Sequence, residues 1–145
     1  MFKNQWMELI EDDRFLNMDK PFHFTNNVLD QLFTQGNSLF VITNRQFQNK
    51  AIQQLEKYQL LHYFQNIFVT QQKFEKQALI STSNIVLTEN DFFIGDTGKD
   101  VQAGKDLGLK TVAVLSGFRN YDSLITYKPD YILNNISELP QIIHQ

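Results

Sequence analysis

Two aspartates four positions apart, Asp96 and Asp100, close the stretch Asp91-Phe92-Phe93-Ile94-Gly95-Asp96-Thr97-Gly98-Lys99-Asp100. The apolar run ahead of them reads as a buried strand. Its glycine turn puts Asp96 at the strand's carboxyl end and Asp100 one helical turn further on. Carboxylates placed this way suit Mg²⁺ held beside a phosphate, because a hard cation takes oxygen ligands and keeps several waters. Other polar residues fall at comparable places. Thr43-Asn44 follows Leu39-Phe40-Val41-Ile42, Ser116-Gly117 follows Thr111-Val112-Ala113-Val114-Leu115, and Lys73 and Lys76 follow Ile67-Phe68-Val69. In an open parallel sheet, ligands sit beyond the carboxyl ends of the strands. A hydroxyl, an ammonium and two carboxylates would then meet at one edge, a set able to bind a phosphate and a divalent cation. A phosphate-handling site of this kind also needs a nucleophile, and no residue of this set is identified as one.

The elements that must position these residues alternate between helix-like and strand-like patterns, which predicts parallel strands joined by helical crossovers. Thr25 opens a helix whose face is Val28, Leu29, Leu32 and Phe33, and Gly36 stops it. Leu39–Ile42 is a short apolar run suited to a strand buried on both sides. A helix through Ala51, Ile52, Leu55 and Tyr58 follows, then a short turn or helix over Leu60–Phe64, and a strand at Ile67–Val69. Phe74 to Ile80 reads as a helix, whereas Ser81 to Asn90 fits either a strand at Ile85-Val86-Leu87 or a helix end. Phe92–Ile94 is the next strand, Val101–Leu107 a helix closed by Gly108, and Thr111–Leu115 another strand. The chain ends with a strand at Tyr131–Leu133 and a helix capped by Ser137 with Glu138 in its first turn. Residues 1–20 show no such run.

Composition narrows the function classes. The 145 residues, 42% hydrophobic and 20% charged, suit one soluble folded domain. A net charge of -3 argues against a nucleic-acid platform. With no cysteine and only three scattered histidines, His23, His62 and His144, zinc and thiol chemistry are not expected. No apolar run approaches the roughly 20 residues of a membrane span, and the opening lacks a secretory pattern. The expected location is the cytoplasm.

The order Phe40-Val41-Ile42-Thr43-Asn44, a lysine, Gly95-Asp96-Thr97-Gly98-Lys99-Asp100-Val101-Gln102-Ala103-Gly104, then Gly108-Leu109-Lys110-Thr111-Val112 resembles the haloacid dehalogenase (HAD) superfamily. Within it the likeness is to phosphoglycolate-phosphatase-like hydrolases, and Lys128-Pro129-Asp130-Tyr131-Ile132-Leu133 with Ile136-Ser137-Glu138-Leu139 fits their ending. The resemblance implies a three-layer α/β/α, Rossmann-like parallel sheet and Mg²⁺-dependent hydrolysis of a small phosphate ester. Thr43 would match the hydroxyl that hydrogen-bonds the phosphoryl group, and Asn44 could offer its backbone N–H. Lys76, or alternatively Lys73, would match the lysine that neutralises charge. Asp96 would match the metal-ligating acid, and Asp100 the second acid, which holds metal-bound water or orients the lysine.

The family begins with a strand ending in Asp-x-Asp, whose first aspartate attacks phosphorus. The early acids here, Glu8, Glu11, Asp12, Asp13 and Asp19, form no such motif. Residues 1–20 look like the tail of a helical cap, with residues 21–145 as the core domain. On this reading the sheet lacks its first strand and most of the cap. Mg²⁺ binding is expected to be weak, and the isolated chain is expected to be inactive. The alternative is a non-catalytic module that binds phosphate or another anion. An empty central position would leave unpaired strand edges, so a homodimer or pairing with a separate N-terminal fragment is expected there.

Overall fold

The computed structural model describes residues 5–9, 25–43, 47–71, 75–115 and 121–143, with residues 5–9 and Thr25 described by backbone alone. Asn44, Lys73 and the Ser116-Gly117 pair lie outside the described residues, as do residues 10–24 and with them the expected boundary at residue 20. The elements in chain order are β1 (Gln5–Leu9), α1 (Thr25–Thr34), β2 (Ser38–Thr43), α2 (Gln48–Lys57), β3 (Phe64–Val69), α3 (Lys76–Ser81), β4 (Phe92–Gly95), α4 (Gly98–Asp106), β5 (Lys110–Val114), α5 (Tyr121–Ile125), β6 (Tyr131–Leu133) and α6 (Leu139–Ile142).

Six parallel strands form one sheet in the order β3-β2-β1-β4-β5-β6. Strand residues alternate between its faces. Leu39, Val41, Phe92, Ile94 and Val112 pack with residues of α1, α2 and α6, such as Leu29, Leu55 and Leu139. Phe40, Ile42 and Phe93 pack on the other side with Ile80 of α3 and Ala103 of α4. Val101 and Ala113 meet Leu124 of α5. The result is the expected three-layer Rossmann-like architecture.

The expectation of an empty centre is corrected. Gln5–Leu9 fills it, in register with β2 on one side (Leu9 opposite Ile42) and with β4 on the other (Glu8 opposite Ile94). Residues 5–9 are therefore part of the core sheet and not of a cap. Gln5 and Glu8 interrupt the apolar pattern of Trp6, Met7 and Leu9, so this strand has no signature in its own composition. The ladders of N–H and C=O groups on both flanks dictate it instead. No vacancy stands open for a second copy or an N-terminal fragment, and any pairing there must displace β1.

Smaller differences follow from local chemistry. Phe33 stands outside the core, 46% exposed, edge-on to Tyr63 with centroids 5.9 Å apart. Residues 84–91 form neither helix nor strand. The last helix begins as a 3₁₀ turn at Ile136–Glu138, and Asn135 rather than Ser137 caps it, accepting the Ser137 N–H at 2.9 Å.

Candidate functional site at the carboxyl edge of the sheet

The strand order reverses direction about β1, so the crevice beyond its carboxyl end is the topological switch point where open α/β sheets bind ligands. β2 brings Thr43 to one side of that point and β4 brings Asp96 to the other. Thr43 is the last residue of β2 and is fully buried. Its carbonyl accepts the Thr70 N–H at 2.9 Å. Its hydroxyl is buried without a hydrogen-bond partner among the described residues. A buried polar group left unsatisfied costs about 1–3 kcal/mol, so this oxygen stands ready for a ligand.

Gly95 ends β4 and Asp96 follows it, 9% exposed. The chain then stays extended through Thr97 and enters α4. Thr97 and Asp100 form a capping box: the Thr97 hydroxyl accepts the Asp100 N–H at 3.3 Å and donates to Asp100 Oδ2 at 2.9 Å, and the Thr97 N–H donates to the same oxygen at 3.2 Å. Two reciprocal bonds of this kind satisfy helix-start donors that would otherwise be orphaned. Asp100 Oδ1 takes the third donor, the Lys76 ammonium, at 2.8 Å. Lys76 opens α3, and both members of this ion pair are buried.

Of the residues singled out in the sequence, the structure thus places Thr43, Lys76, Asp96 and Asp100 at one edge and joins Lys76 directly to Asp100. Lys76, not Lys73, is the lysine seen in that contact. The sequence reading passed over Thr97, although the Thr-x-x-Asp spacing is itself a helix-start signal. It also missed two close approaches that fix α4. A Cβ at Gly104 would lie 2.6 Å from Thr111 Cγ2 and 2.9 Å from Phe93 Cβ, and one at Gly98 would fall 2.0 Å from the Tyr127 ring. Beside Thr97 opens a cavity of about 580 Å³ whose walls include Lys99, Ser123 and Tyr127.

These residues fit a magnesium ion poorly. Both Asp100 oxygens are committed to Thr97 and Lys76. Among the described residues no group of three or more histidine, cysteine, aspartate and glutamate side chains comes together. Asp96 is the remaining acid at the edge among the described residues. In the described residues no helix is long and apolar enough to cross a membrane.

A family model described as haloacid dehalogenase-like hydrolase matches residues 2–114. A phosphoglycolate phosphatase of Synechococcus elongatus is 40% identical over 53 residues, 37% of this chain and 25% of that protein. A pyrophosphatase PpaX of Halalkalibacterium halodurans is 25% identical over 130 residues, 86% of this chain and 60% of that protein. A solved haloacid dehalogenase-like family hydrolase from Streptococcus pneumoniae superposes with a TM-score of 0.71 at 22% identity, over 85% of this chain and 60% of that one. The chain spans less than two thirds of the length of each of these three proteins.

Proposed function

Because this chain belongs to the haloacid dehalogenase-like hydrolase family, we propose that it is the core of a phosphatase for small phosphate monoesters, one that binds the phosphoryl group without turning it over alone. The observation that carries this reading is the Thr43 hydroxyl, buried at the switch point with no described partner. A phosphate oxygen would accept its proton. Lys76 would add a positive charge, held in place because Asp100 grips it and Thr97 grips Asp100. Charge-assisted bonds of this type are about twice as strong as neutral ones. Asp100 thereby acts as a positioning residue, not as a cation ligand. No attacking group accompanies this cradle in the described residues, and covalent catalysis needs an activated nucleophile.

The experiment pairs binding with turnover. Inorganic phosphate followed by ³¹P NMR should bind saturably, and Thr43→Val and Lys76→Met should each weaken it about ten-fold, the loss of one charge-assisted or buried hydrogen bond. Hydrolysis of an aryl phosphate with Mg²⁺ should not exceed that of an Asp96→Asn control. Absence of phosphate binding would defeat the cradle; turnover lost in the control would defeat the inactive reading. The lack of an attacking group among the described residues also favours a second reading, a regulatory anion site. It predicts equal affinity for orthovanadate and sulfate, whereas a catalytic lineage binds the vanadate more tightly because vanadate mimics the transition state.

A further inference from the structure

The sheet has two edges, β3 and β6, with no further strand beyond either among the described residues. An edge offers unpaired N–H and C=O groups to another strand, and brevity or charge is the common protection. β6 is only three residues long. β3 runs for six, Phe64-Gln65-Asn66-Ile67-Phe68-Val69, with no charge, no proline and no glycine. Segments of that length and composition are the ones that pair with their own kind. Its outer side is nevertheless occupied. The Thr70 N–H, just past the strand, donates to the Thr43 carbonyl at 2.9 Å. Alternate residues of a parallel strand serve one neighbour, so Phe68 and Asn66 bond β2, while Ile67 and Val69 turn their backbone groups away from it. The Ile67 N–H donates to Asn66 Oδ1 at 2.8 Å, and the Ile67 carbonyl accepts from Gln48 Nε2 at 2.8 Å. Gln48 opens α2, and both amide side chains are on exposed residues, so core packing does not explain them. A bulge adds to this. Leu39 pairs with Phe64 and Phe40 with Asn66, which leaves Gln65 as an extra residue that bends the edge.

We infer that Gln48 and Asn66 guard the β3 edge, closing a latent surface through which a second copy of this chain would add its own β3 to the sheet. The geometry identifies the excluded partner. Laid antiparallel on its twofold copy with Ile67 opposite Ile67, β3 would form a hydrogen-bonded pair at that point, in which the two residues exchange both N–H···O bonds. Gln65 would then face Val69 of the other copy on either side. The two groups that close such a pair are the two that Gln48 and Asn66 hold. Association must therefore break both guards in each copy before it gains the ladder. The guards do the work that a lysine or a proline does on other edges. This inference goes beyond the reading of the carboxyl edge as a phosphoryl site and does not depend on it.

The test compares the unchanged full chain with the Gln48→Ala/Asn66→Ala double variant by sedimentation velocity over a concentration series. The double variant should self-associate at least about ten-fold more tightly, as expected when hydrogen bonds no longer have to be broken first. Amide hydrogen exchange read by NMR locates the contact. In dilute monomer the Ile67 amide of the double variant should exchange faster than in the unchanged chain, and in the dimer it should exchange more slowly than in either monomer. Val69→Pro, added to the double variant, removes an outward N–H while sparing the bonds to β2, and should return the chain to monomer. Should that variant not fold, exchange at Ile67 decides alone. Association of the double variant no tighter than that of the unchanged chain would overturn the inference. So would a dimer whose Ile67 amide stays unprotected, or one that a folded Val69→Pro variant still forms, since the contact would then lie elsewhere. Failure of phosphate binding would leave the guards untouched.

Discussion

At the scale of single residues, the Lys76–Asp100 pair is where burial decides the energetics. An exposed ion pair of the same 2.8 Å geometry would contribute less than about 1 kcal/mol. Here both side chains are buried, so removing one partner strands a charge. Lys76→Met and Asp100→Asn should each destabilise by about 3–5 kcal/mol, while the double variant should lose clearly less than the sum. Urea unfolding of the three variants checks this, and additive losses would show that the pair does not act as a unit. Tyr63 gives a second prediction. Burial first, then the charge of Asp30 and the hydrogen bond to it, push its phenol pKa above the usual 10.0. The folded state therefore keeps the proton longer than the unfolded chain. The stability it contributes is fully present below about pH 10 and is lost as pH rises through the raised value. Tyr63→Phe should flatten the alkaline limb of the stability profile. That Asp96 follows the strand at Phe92–Gly95 and Asp100 lies in the first turn of the next helix was legible from spacing. The choice between Lys73 and Lys76 was not, because only the tertiary approach of α3 to α4 brings one of them to Asp100.

At the scale of elements, α4 matters most, since its first turn carries Asp100 and its body must lie close to β4. Gly104 makes that approach possible: Phe93 and Thr111 leave no room for a methyl group. Gly104→Ala should destabilise by about 1–3 kcal/mol through overpacking, even though alanine favours helix. Gly108→Ala meets open space, and its penalty, about 1 kcal/mol, comes from a φ of +75° alone. Thermal unfolding of the two variants separates crowding from backbone strain; a larger loss at Gly108 would refute this ranking. The strands at Leu39–Ile42 and Phe92–Ile94 were readable because burial on both sides demands apolar runs. Gln5–Leu9 was unreadable for the converse reason, since neighbouring ladders and not its own side chains make it a strand. Phe33 misled because helical spacing placed it beside Leu29 and Leu32, whereas the α1 surface it occupies faces Tyr63 and solvent.

At the scale of the whole molecule, the six-stranded sheet has its central strand, and among the described residues the carboxyl edge carries an unequal set of groups. Donors converge there: a buried hydroxyl from β2 and an ammonium fixed from α3. Among the described residues, acids able to take a cation do not, because Asp100 is tied at both oxygens. Anions should therefore stabilise the fold more than divalent cations do. A ligand with a dissociation constant of about 5 mM, present at about 5 mM, adds only about 0.4 kcal/mol, or about 1–2 °C in a domain of this size. Magnesium chloride at that concentration should raise the melting temperature by no more than this, and phosphate should raise it further, with Lys76→Met erasing the phosphate increment alone. A magnesium shift several times larger, abolished by Asp96→Asn, would mean that oxygen ligands beyond Asp96 reach the edge. The balance of charge drawn here would then be inverted, with the cation organising the phosphate in place of Lys76.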